Sequence, residues 1–208
     1  MIYNLNTTIE LAEAKLSYPG CWAYPDMLEV GCEGGGGGGS GMTDAETRTH
    51  FAAWSIVSSP LVLSLDVRDD EVMDKWWELI TNKEAIAVNQ AWAGHSGSPF
   101  YSSEDMEHFD FVDHNPINPP FEQFDVPKIQ YFYKEMPNEK AALLLMNRGK
   151  QSETLTLNLA DVPNLACTED KPCSVRDILK RENVESASDG LYYFEGVESH
   201  DSVFLLVQ

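Results

Sequence analysis

The sequence predicts an α/β region followed by an all-β region, an antiparallel β-sandwich. Three observations predict it. Between residues 9 and 89, helical segments alternate with short apolar runs, the rhythm of a parallel sheet with crossover helices. The run "LVLSLDV" at 61–67 is apolar almost throughout, as strands covered on both faces are. Beyond about residue 94 the chain carries short strand-like runs and turn dipeptides, with no helical pattern of any length.

Each element has its own reason. "IELAEAKL", 9–16, reads as the tail of a helix, and "DMLEV", 26–30, as a buried strand. The six glycines Gly34–Gly39 have no lysine and no GK[ST] ending, so they read as a flexible loop insertion rather than a phosphate cradle. "TDAE", Thr43 to Glu46, is a capping box that starts a helix. Phe51, Trp54, Val57 and Ser58 share one face of it, and Pro60 stops it. A further helix starts at Asp69 or Asp70, both N-cap types, and turns Val72, Met73, Trp76 and Ile80 inward. A short helical piece follows at 82–89.

"NPINPP", 115–120, is a proline-rich loop. Strands are expected at 128–135, 140–147, 153–159, 173–179, 190–195 and 202–207. "ETLTLNL" alternates polar and apolar, as a half-buried strand does. Pro137–Asn138, Arg148–Gly149 and Asp189–Gly190 supply turns between the strands. The domain boundary falls between 1–94 and 95–208.

Composition excludes several function classes. Apolar residues make up 43% of the 208, enough for a core. Fourteen basic against 34 acidic residues give a net charge of −20. That surface repels phosphate backbones and anionic lipid, so neither nucleic acid nor a membrane is an expected partner, whereas a neutral sugar is not penalised. No run approaches a membrane span. The N-terminus lacks a basic leader and a long apolar run, so it does not read as a signal peptide. No histidine or cysteine pair has zinc-ligand spacing, and no metal or cofactor is expected. "CTEDKPC" is a short polar loop in which Cys167 and Cys173 can pair, implying an oxidising compartment. Cys21 and Cys32 flank an extended segment and are too far apart to bridge.

Two acids mark the α/β strands, Asp26 and Asp66. In α/β barrels the C-terminal strand ends face the active site. Asp66 has a plainer reading, as a partner of Arg68 or a cap of the next helix. Trp22 and Tyr24 could stack on a sugar face, although aromatics beside a strand usually pack in a core. His50 reads as a packed or surface residue.

"GCWAYPDMLEVG", "GMTDAETRTHFAAWSIVSSPLVLSLDVR" and "AIAVNQ" resemble the seventh and eighth βα units of α-galactosidases of glycoside hydrolase family 27, the melibiases. "LLLMNRG", "VRDIL" and "HDSVFLLV" resemble that family's C-terminal β-sandwich. The family's strand-7 motif reads GGWNDPDML. Trp22, Pro25, Asp26, Met27 and Leu28 match it, Cys21 replaces a glycine, and Ala23 and Tyr24 replace Asn and Asp.

The resemblance implies the last part of a TIM (β/α)8 barrel followed by an antiparallel β-sandwich. It implies hydrolysis of terminal α-galactosides with retention, with Asp26 and Met27 lining the sugar pocket. The family's nucleophile and acid/base come from earlier barrel strands, expected upstream of Met1, and no position here matches them. The 208-residue chain alone is therefore expected to be an inactive fragment. α-N-Acetylgalactosaminidase, another specificity of the same scaffold, and a non-catalytic sugar-binding fragment are the alternatives. For the full-length enzyme the resemblance implies secretion or a lysosomal or vacuolar address, and it allows a homodimer.

Overall fold

The structure, a computed structural model, describes residues 1–32, 41–111, 122–165, 167, 170 and 172–208. The glycine run, the proline-rich segment at 115–120 and part of the loop between Cys167 and Cys173 lie outside the described residues.

Among the described residues four helices come first: α1 (Ile2–Glu13), α2 (Asp44–Ile56), α3 (Asp70–Ile80) and α4 (Lys83–Gln90). Their starts follow the sequence chemistry. The Thr43 hydroxyl accepts from the Glu46 N–H, and the Glu46 carboxylate accepts from the Thr43 N–H at 2.8 Å. Asp69 caps α3, and Asn82 caps α4. From Phe51 to Ile56 every residue of α2 is buried, the pattern of a helix enclosed on all sides. It ends at Ile56, and Ser58 takes a positive φ of 59° two residues before Pro60. The first helix runs earlier than the 9–16 expected and stops at Glu13.

Ten strands follow among the described residues: β1 (Ser98–Ser102), β2 (Met106–Phe111), β3 (Glu122–Pro127), β4 (Ile129–Met136), β5 (Lys140–Asn147), β6 (Glu153–Leu157), β7 (Val175–Asp177), β8 (Glu182–Val184), β9 (Tyr192–Val197) and β10 (Ser202–Val207). Six form an antiparallel sheet in the order β1-β4-β5-β10-β7-β8. β6 pairs with β9 and β2 with β3 in two smaller sheets. β1, β2, β3 and β8 were not expected. Their sequences SPFYS, MEHFDF, EQFDVP and ENV carry at most two apolar residues in alternation, too short a pattern to mark a strand.

Side-chain alternation assigns two cores to the two faces of the large sheet. Phe132, Ala142, Leu144, Met146 and Phe204 join Phe51, Trp54 and Ile56 of α2 in one. Tyr131, Leu143, Leu145, Val203 and Leu205 join Leu155, Leu157 and Phe194 of the β6-β9 sheet in the other. With a period of two, a one-residue slip would exchange the two sets. The sheet is thus the middle layer of three, between helices and a second sheet.

The α/β strands are where the expectation fails. Residues 26–30 and 61–67 form no strands. They meet in one parallel bridge, Leu28 with Leu63, made by the Leu28 N–H to Val62 carbonyl bond (2.7 Å) and the Ser64 N–H to Leu28 carbonyl bond (3.2 Å). Nor is 61–67 covered on both faces: Val62, Leu63 and Val67 are exposed. A parallel ladder is stable where strands and helices flank it on both sides. Among the described residues these two segments pair only with each other.

Cys167 and Cys173 form a disulfide, with Cα atoms 5.3 Å apart. Cys21 and Cys32 are free. Closing so short a loop stabilises by about 2 kcal/mol. Replacing both Cys167 and Cys173 with serine is therefore expected to lower the unfolding free energy by about that much, read as a shift of the urea midpoint at unchanged slope. An unchanged midpoint would show that the bond does not constrain the unfolded chain.

Candidate active site

The segment from Trp22 to Val30 is extended, and its burial alternates until it reaches Asp26. Ala23 and Pro25 are buried, then Leu28 and Val30, so the phase changes between them. The backbone at Asp26 explains the change, with φ at 106° in a region that L-residues rarely adopt. The kink presents two consecutive side chains, Asp26 and Met27, to solvent. Strain of this kind persists where surrounding structure holds it, and it gathers at binding and catalytic sites.

Here α2 does the holding. The Trp54 indole Nε1–H donates to the Asp26 carbonyl at 2.7 Å. One turn earlier, His50 Nε2 accepts the Glu29 N–H at 3.0 Å. The two rings meet edge to face, 4.1 Å apart. The Asp26 carboxylate itself accepts the Met27 N–H at 2.8 Å and leaves its second oxygen toward solvent. Neither Trp54 nor His50 stood out as a support of Asp26 in the sequence. A tryptophan and a histidine four residues apart on a helix do not reveal which loop they face.

The other candidates are placed as follows. Asp66 is exposed and clasped by Arg68, whose Nε and Nη2 donate at 2.9 and 2.8 Å. The Arg68 guanidinium holds the Asp66 carboxyl below the usual carboxylate range. Asp69, not Asp66, caps α3. Trp22 packs edge to face on Trp92, with ring centroids 5.5 Å apart; both rings are half-buried and lie outside the two cores. Tyr24 is exposed, as is Met27. Among the described residues, no group of three acidic, histidine or cysteine side chains could hold a metal ion.

An exposed acid on a strained, braced kink beside one parallel bridge, ahead of an antiparallel sandwich, defines the class of arrangement, with Asp26 as its candidate site residue. The comparisons with known proteins give the class its family. Residues 5–91 match the family model described as alpha galactosidase A, and residues 127–207 match that of the alpha galactosidase C-terminal beta sandwich domain. The chain belongs to the α-galactosidase (melibiase) family, glycoside hydrolase family 27.

Alpha-galactosidase 2 of Arabidopsis thaliana is 33% identical over 150 residues, which cover 72% of this chain and 30% of the relative. The α-galactosidase of Cyamopsis tetragonoloba is 33% identical over 144 residues, 69% of this chain and 27% of its own. The matched part thus spans under a third of these relatives. Among solved structures, α-galactosidase I from Mortierella vinacea superposes with a TM-score of 0.70 at 24% identity, covering 99% of this chain and 43% of that one. A family 27 β-L-arabinopyranosidase from Geobacillus stearothermophilus gives 0.72 at 21%, covering 100% and 42%. At these identities the structural matches show the fold alone.

Burial pushes the His50 imidazole down to about 3, so at neutral pH the ring is uncharged and Nε2 is free to accept. An unfolded histidine takes its proton near pH 6.5. Between about 6.5 and 3 the unfolded state binds the extra proton, and stability falls as the pH drops through that window, by up to about 1.4 kcal/mol per unit. His50→Gln keeps an acceptor for Glu29 but cannot titrate. Urea unfolding at pH 7, 5 and 4 is expected to show a shallower acid loss in the variant than in the parent. Equal losses would mean that His50 is solvated and protonates normally.

Proposed function

We propose that this chain is the C-terminal portion of an α-galactosidase-type retaining glycoside hydrolase. In this reading residues 1–94 supply the last βα units of a TIM barrel, and residues 95–208 its sandwich domain. Asp26 and Met27 line the sugar pocket, with the Asp26 carboxylate accepting hydrogen bonds from sugar hydroxyls and Met27 giving an apolar contact. The observation that carries the reading is the Asp26–Met27 kink, braced by Trp54 and His50 in the stretch that matches the alpha galactosidase A family model.

Retention requires two carboxylates about 5 Å apart, one a nucleophile and one an acid/base. Asp66 is engaged by Arg68, and Asp26 has the role of a binding residue. The catalytic pair is therefore assigned to strands upstream of Met1, in the part of the relatives that this chain does not span. The expected substrates are neutral α-galactosides, consistent with the acidic surface. The disulfide fits a secreted or vacuolar address for the whole enzyme.

The test is a chromogenic α-galactoside assay of the 208-residue chain and of a version extended through the missing strands. The matching α-N-acetylgalactosaminide and β-L-arabinopyranoside serve as comparators. The short chain is expected to give no turnover. The extended protein is expected to prefer the α-galactoside, with Asp26→Asn costing on the order of a hundredfold in kcat/KM, the effect of removing one charged hydrogen-bond acceptor from the pocket. Turnover by the short chain that disappears in Asp26→Asn or Asp66→Asn would require a new catalytic pair. A preference for either comparator would move the specificity within the family.

A further inference from the structure

The sandwich carries a second site-like feature, on the side of the large sheet that faces away from the helices. A groove of about 410 Å³ opens between β1 and β4 on one side and β6 on the other, within the size range of small-ligand pockets. One wall is aromatic. The pairing of β1 with β4 shifts register between Pro99 and Tyr101, and the resulting bulge brings two consecutive aromatics against one partner. Phe100 and Tyr101 both pack on Tyr131, with centroids 6.1 and 5.0 Å away. Bulges re-aim side chains in this way, and they recur next to functional sites. Tyr101 keeps 47% of its surface exposed.

The opposite wall is mixed: the buried Leu155 and Leu157 of β6 alternate with the exposed Thr154 and Thr156, and Asn158 and Asp161 close the end. No hydrogen bond engages the Asp161 carboxylate or either threonine hydroxyl among the described residues. The site therefore offers a flat aromatic face and an apolar floor, with threonine hydroxyls and one free carboxylate along its rim. That suits a ligand with an apolar face and a hydroxylated edge.

Two other occupants fit less well. An added peptide strand needs free backbone groups on the β6 edge, and the Tyr131 hydroxyl already occupies the Thr156 carbonyl at 3.1 Å. An anionic ligand would meet Asp161 and a protein of net charge −20.

We propose that this groove is a carbohydrate-binding site, separate from the Asp26 pocket, that takes a neutral oligosaccharide. Tyr101 stacks on a sugar ring, and Thr156 and Asp161 hold its hydroxyls. The choice of a saccharide rests on the family reading above, but the site shares no residue with the Asp26 pocket, and the two can fail separately.

The test is an amide chemical-shift titration of the 208-residue chain with melibiose and raffinose, and with choline as a cationic control. Millimolar affinity is expected, about 4 kcal/mol of binding free energy. The shifts should centre on residues 100–102, 129–131 and 154–161. Tyr101→Ala and Asp161→Asn should each weaken binding at least about tenfold, Tyr101→Phe should retain it, and Asp26→Asn should leave it unchanged. Unaltered amide spectra elsewhere show that each variant folds. Sugar shifts centred on Asp26 would support the pocket and overturn the groove. Choline binding in place of sugar, or no shifts from either sugar, would also overturn it. Groove binding with no turnover in an extended protein would overturn the enzymatic reading and leave the groove standing.

Discussion

The packing of α2 across the central strands is the constraint on which the rest depends. Phe51, Trp54 and Ile56 are almost completely buried against Phe132, Leu144, Met146 and Phe204. Burying side chains of that size stabilises by about 2 kcal/mol each. Truncating Trp54 to alanine would cost on the order of 3–5 kcal/mol, because the surroundings relax only in part. The same tryptophan that fills this core turns its indole N–H to the Asp26 carbonyl. Stability of the sandwich and geometry of the candidate pocket thus meet in one side chain.

Polar groups complete the junction, and each serves both layers. Asn82 caps α4 through its carbonyl oxygen and donates from its amide to the Ile178 carbonyl at 2.9 Å. Lys134, on β4, is fully buried and gives its ammonium to the Val88 and Asn89 carbonyls at the end of α4. Cations are favoured at that end of a helix, while burial alone pushes Lys134 down to about 7. Arg148 is buried too, donating to Gln130 and to Asn6 on α1. Asn6 belongs to a glycosylation sequon, Asn6-Thr7-Thr8, yet its side chain is engaged inside the fold. Arg176 grips Glu84 with two bonds of 2.6 and 2.8 Å. At the start of α2, His200 and Thr43 hold the Glu46 carboxyl down to about 2, the histidine bond being the largest cause.

What was legible in the sequence was whatever local chemistry decides. The caps of α2 and α3, the stretch of β5 from Lys140 to Asn147 and that of β10 from Ser202 to Val207 follow from side-chain type and period. Asp26 stands out in the sequence as a candidate through its motif. Its brace does not, because the Trp54–Asp26 and His50–Glu29 bonds span 28 and 21 residues and leave no local trace. Strands β2 and β3 were missed because they pair with each other and their apolar alternation, Phe109/Phe111 and Phe124/Val126, is only two residues long on each strand. The segments at 26–30 and 61–67 misled in the opposite way. Their apolar pattern is that of strands inside a larger parallel sheet, and alone they sustain a single bridge.

If α2 belongs to the sandwich core, it should open only when the sheet opens. Native-state hydrogen exchange measures this directly. Amides at 52–56 in α2 and at 142–146 and 203–206 in the sheet are expected to share one opening free energy within about 1 kcal/mol, with residues 61–67 exchanging far sooner. A sheet still protected while α2 exchanges several kcal/mol more easily would contradict the account, and would make the helical layer an appendage of a sandwich that stands without it.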